Sequence, residues 1–564
     1  MRTITTLKAN CQDCHRCMRS CPVKAIGIDQ GQAHVIDDKC VMCGRCVVEC
    51  PQQAKQVEDQ TATVKAAIAA GRDVALSLAP SFIASFAEVD PERLWQSLAG
   101  LGFRIIEETA VGAEAISRVY AELLQTTGKP VISACCPVIV STVKKYYPQL
   151  VDYLAPVISP MQAHARMLKE RFGAGTMVVF AGPCIAKISE RDEAFSQVDA
   201  VITFEKLKLW LAEAGDQPGG PAVPAGVRAT DGARHYPVAG GILKSFTRSE
   251  YTATDIIAVD GLDKCMRVLD SLARGEISPR FVEALACSGG CIDGPASGTD
   301  RCSPAKRMKV LEFAAGGVVP SRETLPVTID LHREHVADPV REYLPSEDEI
   351  RRVLEQTGKL SKQDEKNCGA CGFNSCREKA VAVCQGLTTI DTCVPYMRSK
   401  AESFANIIVD NSLNAIIVVN AKMVIAEFNP AAERMFDRKA EMVKGRMLFD
   451  IMDCGGIAAA AKSGEKVVSR RVELAAGGVV TNQMIIPVPA HDLIIIVMTD
   501  ITNQENHTRE LDRMKFQTVE KASEIINRQM QVAQEIAGLL GETTAETKVA
   551  LLELVGLLKA KGEN

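Results

Sequence analysis

Cysteine spacing constrains this chain more than any other feature. Cys11, Cys14, Cys17 and Cys21-Pro22 form a C-x2-C-x2-C-x3-C-P run, and Cys40, Cys43, Cys46 and Cys50-Pro51 repeat it. Three thiolates that must wrap one iron–sulfur cube from a single loop need such short spacings, and the fourth Cys of each run is placed to serve the other cube. The 564 residues hold 21 cysteines, an odd number in tight groups, which favours metal over disulfides. Zinc knuckles have no use for a crossed fourth Cys. Length implies several cores, and 47% hydrophobic with 24% charged residues excludes a mainly disordered chain. A net charge of -5 predicts no nucleic-acid or anionic-membrane partner. No stretch reaches the roughly 18 apolar residues of a membrane span. The N-terminus lacks an apolar signal core, which predicts cytoplasmic residence.

The two runs resemble the bacterial ferredoxin pattern, which predicts a ferredoxin-like domain over residues 1–60. One 4Fe–4S cluster would take Cys11, Cys14, Cys17 and Cys50, and the other Cys40, Cys43, Cys46 and Cys21. Paired clusters are an electron wire, so redox chemistry is expected downstream.

Residues 61–345 alternate short apolar β runs with helical stretches, which argues α/β. Three β runs end in cysteine: before Cys135-Cys136-Pro137, before Gly182-Pro183-Cys184, and before Cys287-Ser288-Gly289-Gly290-Cys291. Carboxyl ends of parallel strands are where α/β folds bind ligands, so three such loops point to one buried metal site. The segments Ser133–Pro137, Pro183–Glu190 and Glu283–Cys291 resemble the T-S-C-C-P, P-C-x-x-K-x-x-E and E-x-M-A-C-x-G-G-C motifs of the iron-iron hydrogenases. Ala79-Pro80-Ser81 and Gly240-Gly241-Ile242 echo further family segments. The resemblance implies a domain with two parallel-type sheets that holds an H-cluster, a 4Fe–4S cube bridged to a two-iron unit carrying CO, cyanide and a dithiolate. Cys136, Cys184, Cys287 and Cys291 would hold the cube, with Cys291 as the bridge. Lys187 and Ser81 would hydrogen-bond cyanide, and Cys135 would hand protons to the dithiolate amine.

Departures from the family pattern concern protons and the cavity wall. Gly182 and Leu285 replace methionines near the two-iron unit. A gapless count from Cys135 puts Ala115 and Arg118 at the relay glutamates and Ala155 at the relay serine, although a one-residue slip would bring Glu114 in. Alanine cannot bind and release a proton, so the usual path should be broken and turnover slow. Gly294-Pro295-Ala296 also stands where the family has more glycine.

Residues 346–400 read as a charged linker helix followed by Cys368, Cys371, Cys376 and Cys393, a C-x2-C-x4-C-x16-C pattern resembling a small 4Fe–4S domain, with Cys384 as packing. Strand-like runs at Ala415–Val419, Val424–Phe428 and Leu493–Met498, with Asn429-Pro430-Ala431-Ala432 and Asp500-Ile501-Thr502, resemble a PAS domain over 401–503. No PAS ligand is assigned: Cys454 lacks a flavin-photoadduct motif, and His491 and His507 are not read as haem ligands. Within 504–564 a heptad seam of Phe516, Val519, Ser523, Ile526, Met530, Ala533, Ala537 and Leu540 predicts a coiled coil, most simply a homodimer. Thr543-x-x-Glu546 reads as a capping box opening a second helix through Leu558.

The expectation is therefore a multidomain α/β and α+β chain with three 4Fe–4S clusters plus the H-cluster. It would act on H2 and protons, exchange electrons with ferredoxin or another redox partner, need hydrogenase maturation proteins, and signal through PAS and coiled coil to a separate kinase or phosphatase. A metabolic ferredoxin-linked hydrogenase and a non-enzymatic iron–sulfur scaffold are the alternatives.

Overall fold

The computed structural model describes residues 3–215, 229, 232–246, 254–316, 329–462, 468–474, 478–540 and 544–560. It divides into two compact units, Met1–Tyr396 and Met397–Asn564. No helix among the described residues is long and apolar enough to cross a membrane.

In the first unit the two cysteine runs share one backbone shape. Each leads into a short helix, Arg16–Ser20 or Arg45–Val48. Positive φ angles recur at matching places: Asp13 and Met42 (49° and 59°), His15 and Gly44 (58° and 73°), Lys24 and Gln53 (49° and 48°). These left-handed residues curl each run back on itself, turning spaced thiols around a common volume. The strand Ile4–Thr6 pairs antiparallel with Lys55–Val57, and Ile26–Asp29 forms a hairpin with Gln32–Val35.

Two parallel sheets follow. One orders its strands Ile105–Glu108, Val74–Leu78, Met177–Gly182 and Ala200–Thr203; the other orders Ile256–Asp260, Phe281–Leu285 and Val131–Ile132. Val74–Leu78, Met177–Gly182, Ala200–Thr203 and Phe281–Leu285 are buried at every position. Helices cover both faces of parallel sheets, hence continuous apolar runs in place of alternation. All three cysteine loops leave carboxyl ends of these strands.

The carboxyl end of Ile105–Glu108 carries a buried ion pair: Arg234 Nε and Nη2 donate to the Glu108 carboxylate at 3.0 and 2.7 Å, with the two residues 1% and 3% exposed. Glu108→Ala would remove both of these charge-assisted bonds from a buried guanidinium, and we expect it to cost about 3–5 kcal/mol. Urea unfolding read by tryptophan fluorescence checks this, because Trp95 and Trp210, the only two in the chain, both belong to the four-stranded core.

The linker segment folds as the helix Glu347–Gln356, opened by a capping box in which Ser346 and Glu349 bond reciprocally. The loop with Cys368, Cys371 and Cys376 leads into the helix Cys376–Cys384 and packs on the first cysteine run. Lys24 Nζ donates to Gly372 O at 2.6 Å, and Ile28 N to Leu387 O at 3.0 Å.

The second unit holds a five-stranded antiparallel sheet in the order Ile425–Phe428, Ala415–Asn420, Leu493–Asp500, Val480–Val488, Val468–Glu473. Burial alternates along Ala415–Asn420 and Leu493–Asp500, as expected where one face meets the core. Asn429 uses its whole amide: Oδ1 accepts from Ile416 N and Ala432 N at 2.8 and 3.0 Å, and Nδ2 donates to Val409 O and Asn414 O at 2.9 and 3.0 Å. A helix follows over Thr502–Leu540 and another over Thr544–Ala560, packed on each other. Val519, Ser523, Ile526, Met530 and Ala533 of the seam are half-buried, while Phe516 is exposed. Thr543 of the expected capping box lies outside the described residues, as do the side chains of Ala537 and Leu540.

Candidate active site

The three cysteine loops meet at a cavity of about 90 Å3 whose wall includes Ser81, Cys135, Cys184, Lys187, Leu285 and Cys291. The short loop from Cys287 to Cys291 is possible because Gly289 and Gly290 take φ of 84° and 91°. A Cβ on Gly290 would sit 2.4 Å from Pro237 O, so this position excludes any side chain. Glu283, buried under the loop, accepts from Gly240 N at 2.8 Å and Leu243 N at 3.0 Å, which ties the Gly240–Ile242 segment to the third motif. Burial pushes its carboxyl up to about 7.

Cys136, Cys184, Cys287 and Cys291 are electrostatic neighbours. Burial raises the thiols of Cys184 (to about 11), Cys287 and Cys291, and after burial the chief causes are other members of the four. Four such thiols cannot ionise together unless something positive sits among them. A cube of iron and sulfide supplies that charge, and the donor set fits it. Among the described residues no three His, Cys, Asp or Glu side chains converge on a single ion.

The cavity wall also carries polar groups aimed at a guest. Ser81 is fully buried and its Oγ has no hydrogen-bond partner among the described residues. Lys187 Nζ donates to Ser159 Oγ at 3.0 Å and Glu190 Oε2 at 2.6 Å. An ammonium has three donors, so one remains for the cavity. Burial alone would lower the Lys187 pKa, but Glu190 and the thiols of Cys184 and Cys135 outweigh it and hold the pKa above its ordinary value. At Gly182 an added Cβ would lie 2.6 Å from Phe180 Cε1, so the Phe180 ring takes the space a longer side chain would need.

Cys135 Sγ lies 3.0 Å from Tyr120 Oη, which also accepts from Ala134 N at 3.0 Å. Burial pushes the Cys135 thiol up to about 12. Tyr120 escaped the sequence reading, which counted Ala115, Arg118 and Ala155 at the relay positions. Ala115 and Ala155 are buried in the apolar core, and Arg118 is exposed. Cys265 was also missed. It lies behind the site, its Sγ 3.4 Å from Leu285 O, with nothing in its local sequence to distinguish it from packing.

The remaining thiols group as follows. After burial, the Cys17 thiol is raised by Cys11 and Cys50; Cys43 (to about 12) and Cys46 are raised by one another's neighbours Cys40 and Cys21. The fourth Cys of each run thus sits with the other run. Gly44, beside Cys43, abuts Pro295 and Ile185, and Cys43 is among the charges felt by Cys287, so the second run faces the cavity loops. In the small C-terminal loop Lys359 Nζ donates to Cys393 Sγ at 3.5 Å. Burial lowers Lys379 to about 8, opposed by Cys371 and Cys393. Burial, and after it the Glu349 charge, raises the Cys384 thiol.

Residues 72–295 match the family model of the iron only hydrogenase large subunit, C-terminal domain, residues 3–60 that of a 4Fe-4S dicluster domain, residues 364–395 an Fe-S cluster model, and residues 406–453 the PAS fold. Iron hydrogenase 1 of Clostridium pasteurianum is 25% identical over 305 residues, covering 42% of this chain and 52% of that protein. NADP-reducing hydrogenase subunit HndD of Solidesulfovibrio fructosivorans is 26% identical over 398 residues, covering 59% and 64%. The chain thus spans between about half and two thirds of the length of these relatives. A solved [FeFe]-hydrogenase HydA1 from Chlamydomonas reinhardtii aligns with 50% of this chain and all of its own at 21% identity and a TM-score of 0.41. The chain carries an iron-only hydrogenase large-subunit domain over residues 72–295, with a 4Fe-4S dicluster domain before it and a PAS fold after it.

Proposed function

We propose that this chain catalyses the reversible reaction H2 = 2 H+ + 2 e−, slowly, and serves as a sensor of dihydrogen or redox state. The observation that carries the reading is the unpartnered Ser81 hydroxyl and the spare Lys187 donor on the wall that also presents Cys135 and Cys291. When bound, the two-iron unit supplies the centre at which dihydrogen is split. Cys136, Cys184, Cys287 and Cys291 would hold the cube. Lys187 and Ser81 would offer hydrogen-bond donors to cyanide, and Leu285 with Phe180 would exclude water. Cys135 takes and returns the proton. Electrons pass between the cavity and the second cysteine run, whose Gly44 touches Ile185 and Pro295. A ferredoxin or similar carrier exchanges them with the medium, and maturation proteins load the two-iron unit.

Cys368, Cys371, Cys376 and Cys393 hold a further cluster, and its redox change biases the PAS segment. The helices after Ile501 form a homodimer through the heptad seam and pass the signal to a separate kinase or phosphatase. A bias of this kind requires two arrangements that differ in redox affinity.

Infrared spectroscopy of the anaerobically matured chain tests the cofactor: CO and cyanide bands are expected, and their absence would refute the hydrogenase reading. A fully loaded chain should bind roughly 18 irons, and Cys368→Ser should lower this by about four, one cube, while leaving those bands intact. Loss of the bands in that variant would refute the separation of the two sites. For the sensor, amide hydrogen exchange of Thr502–Leu540 in the full chain should differ between hydrogen and an oxidant. Equal protection in both would leave a metabolic enzyme as the function.

A further inference from the structure

The gapless count puts alanine at two of the family's relay positions, Ala115 and Ala155, and hydroxyl groups stand near the cavity. Tyr236 lines the cavity. Its Oη lies 2.7 Å from Ser117 Oγ, which lies 2.6 Å from Ser245 Oγ, and the Ser245 hydroxyl also reaches the Tyr236 phenol. The three come from separate elements: Ser117 from the helix Ala110–Thr126, Tyr236 from the end of the turn Ala233–His235, and Ser245 from the helix Gly241–Phe246. Tyr236 and Ser117 are buried, whereas Ser245 is half-buried beside exposed Lys244. The row therefore runs from the cavity towards the surface.

Its hydrogen bonds can point either way. In one arrangement Tyr236 donates to Ser117, Ser117 to Ser245, and Ser245 to Ile242 O at 2.6 Å. In the reverse, Ser245 donates to Ser117 and Ser117 to Tyr236, whose own O–H is then released from Ser117. Ala113 O, 2.9 Å from Ser117 Oγ, can hold the Ser117 proton during the turn. A hydroxyl has one donor and two acceptor sites, so each member can accept and donate at once.

We propose that Ser245, Ser117 and Tyr236 form a hydroxyl wire that carries protons between the outer end of the helix Gly241–Phe246 and the cavity. A proton arriving on Ser245 Oγ releases the one already there to Ser117, Ser117 releases its own to Tyr236, and Tyr236 delivers one into the cavity. One O–H bond forms for each that breaks, and no electrons move. Burial, and after it the Cys135 thiol, hold the Tyr236 phenol well above its usual pKa, so it relays as a neutral hydroxyl. The same influence puts Tyr236 beside Cys135. A second polar chain leaves the cavity at Thr109 through Ser77 and His164 to Glu107, to which Arg171 also donates.

The purpose of the wire rests on the hydrogenase reading; its existence does not, and the test separates them. The full chain carrying its cubes, before the two-iron unit is inserted, is moved into D2O. Conversion of the Cys135 S–H band to S–D is followed by infrared, the band being identified by its loss in Cys135→Ala. Ser117→Ala and Tyr236→Phe should each slow the conversion by about tenfold or more, and Ser117→Thr, which keeps the hydroxyl, should restore it. Conversion at the wild-type rate in both Ser117→Ala and Tyr236→Phe would overturn the wire. Slow conversion in Ser117→Thr would overturn it as well, since packing and not the hydroxyl would then be responsible. Absent CO and cyanide bands after maturation would count against the hydrogenase reading alone.

Discussion

Cys135→Ala should lower dihydrogen turnover by about 100- to 10,000-fold while CO and cyanide bands and iron content stay at the wild-type level. The size follows from geometry. Lys187, also on the cavity wall, is held as an ammonium by Glu190 and keeps its proton. Tyr120 and Tyr236, both near Cys135, have phenols far above their usual range and carry protons only as neutral hydroxyls. Losing the thiol therefore opens a gap between the hydroxyls and the guest. Anaerobic gas evolution with a chemical reductant measures it. A variant within a factor of a few of the wild type would show that protons bypass Cys135.

The second large effect concerns iron. Cys287→Ala should cost about six irons, the cube and the two-iron unit together, and abolish the CO and cyanide bands. Cys287 sits in a loop whose shape depends on two positive-φ glycines. The nearby buried thiol of Cys265 is committed to Leu285 O, and Cys265→Ala should lose no iron. Iron assay and infrared spectra of the pair decide the assignment: bands that survive Cys287→Ala, or vanish in Cys265→Ala, would contradict the ligand set.

Some features were legible because the chemistry is local. Thiols that share a cube must lie within a few residues, and the repeated spacing at Cys11–Cys21 and Cys40–Cys50 emerges as a repeated backbone with matching left-handed residues 29 apart, from Asp13 to Met42. Buried parallel strands need unbroken apolar runs, which made Met177–Gly182 and Phe281–Leu285 visible. Asn429 was visible because one amide bonds four backbone groups, a role few residues can fill. Val468–Glu473 and Val480–Val488 went unread as strands. Ser469, Arg470 and Arg471 interrupt the apolar pattern, and these strands are held by ladder bonds to distant partners.

By itself the sequence determined that the thiols fall in tight groups, that three β runs of an α/β region end in cysteine, and that a long helix follows near residue 505, because spacing and periodicity encode contacts between near neighbours in the chain; the two parallel sheets and the PAS-like sheet were expected from resemblance. Tertiary structure alone decided that the second cysteine run and not the first faces the cavity, that Tyr120 is the hydroxyl on Cys135, and that Ser117 meets Tyr236 and Ser245 across more than a hundred residues. Those contacts depend on how helices cross and where loops end. No local pattern records them, since a serine on the buried face of a helix looks the same in sequence whatever hydroxyl the fold brings to meet it.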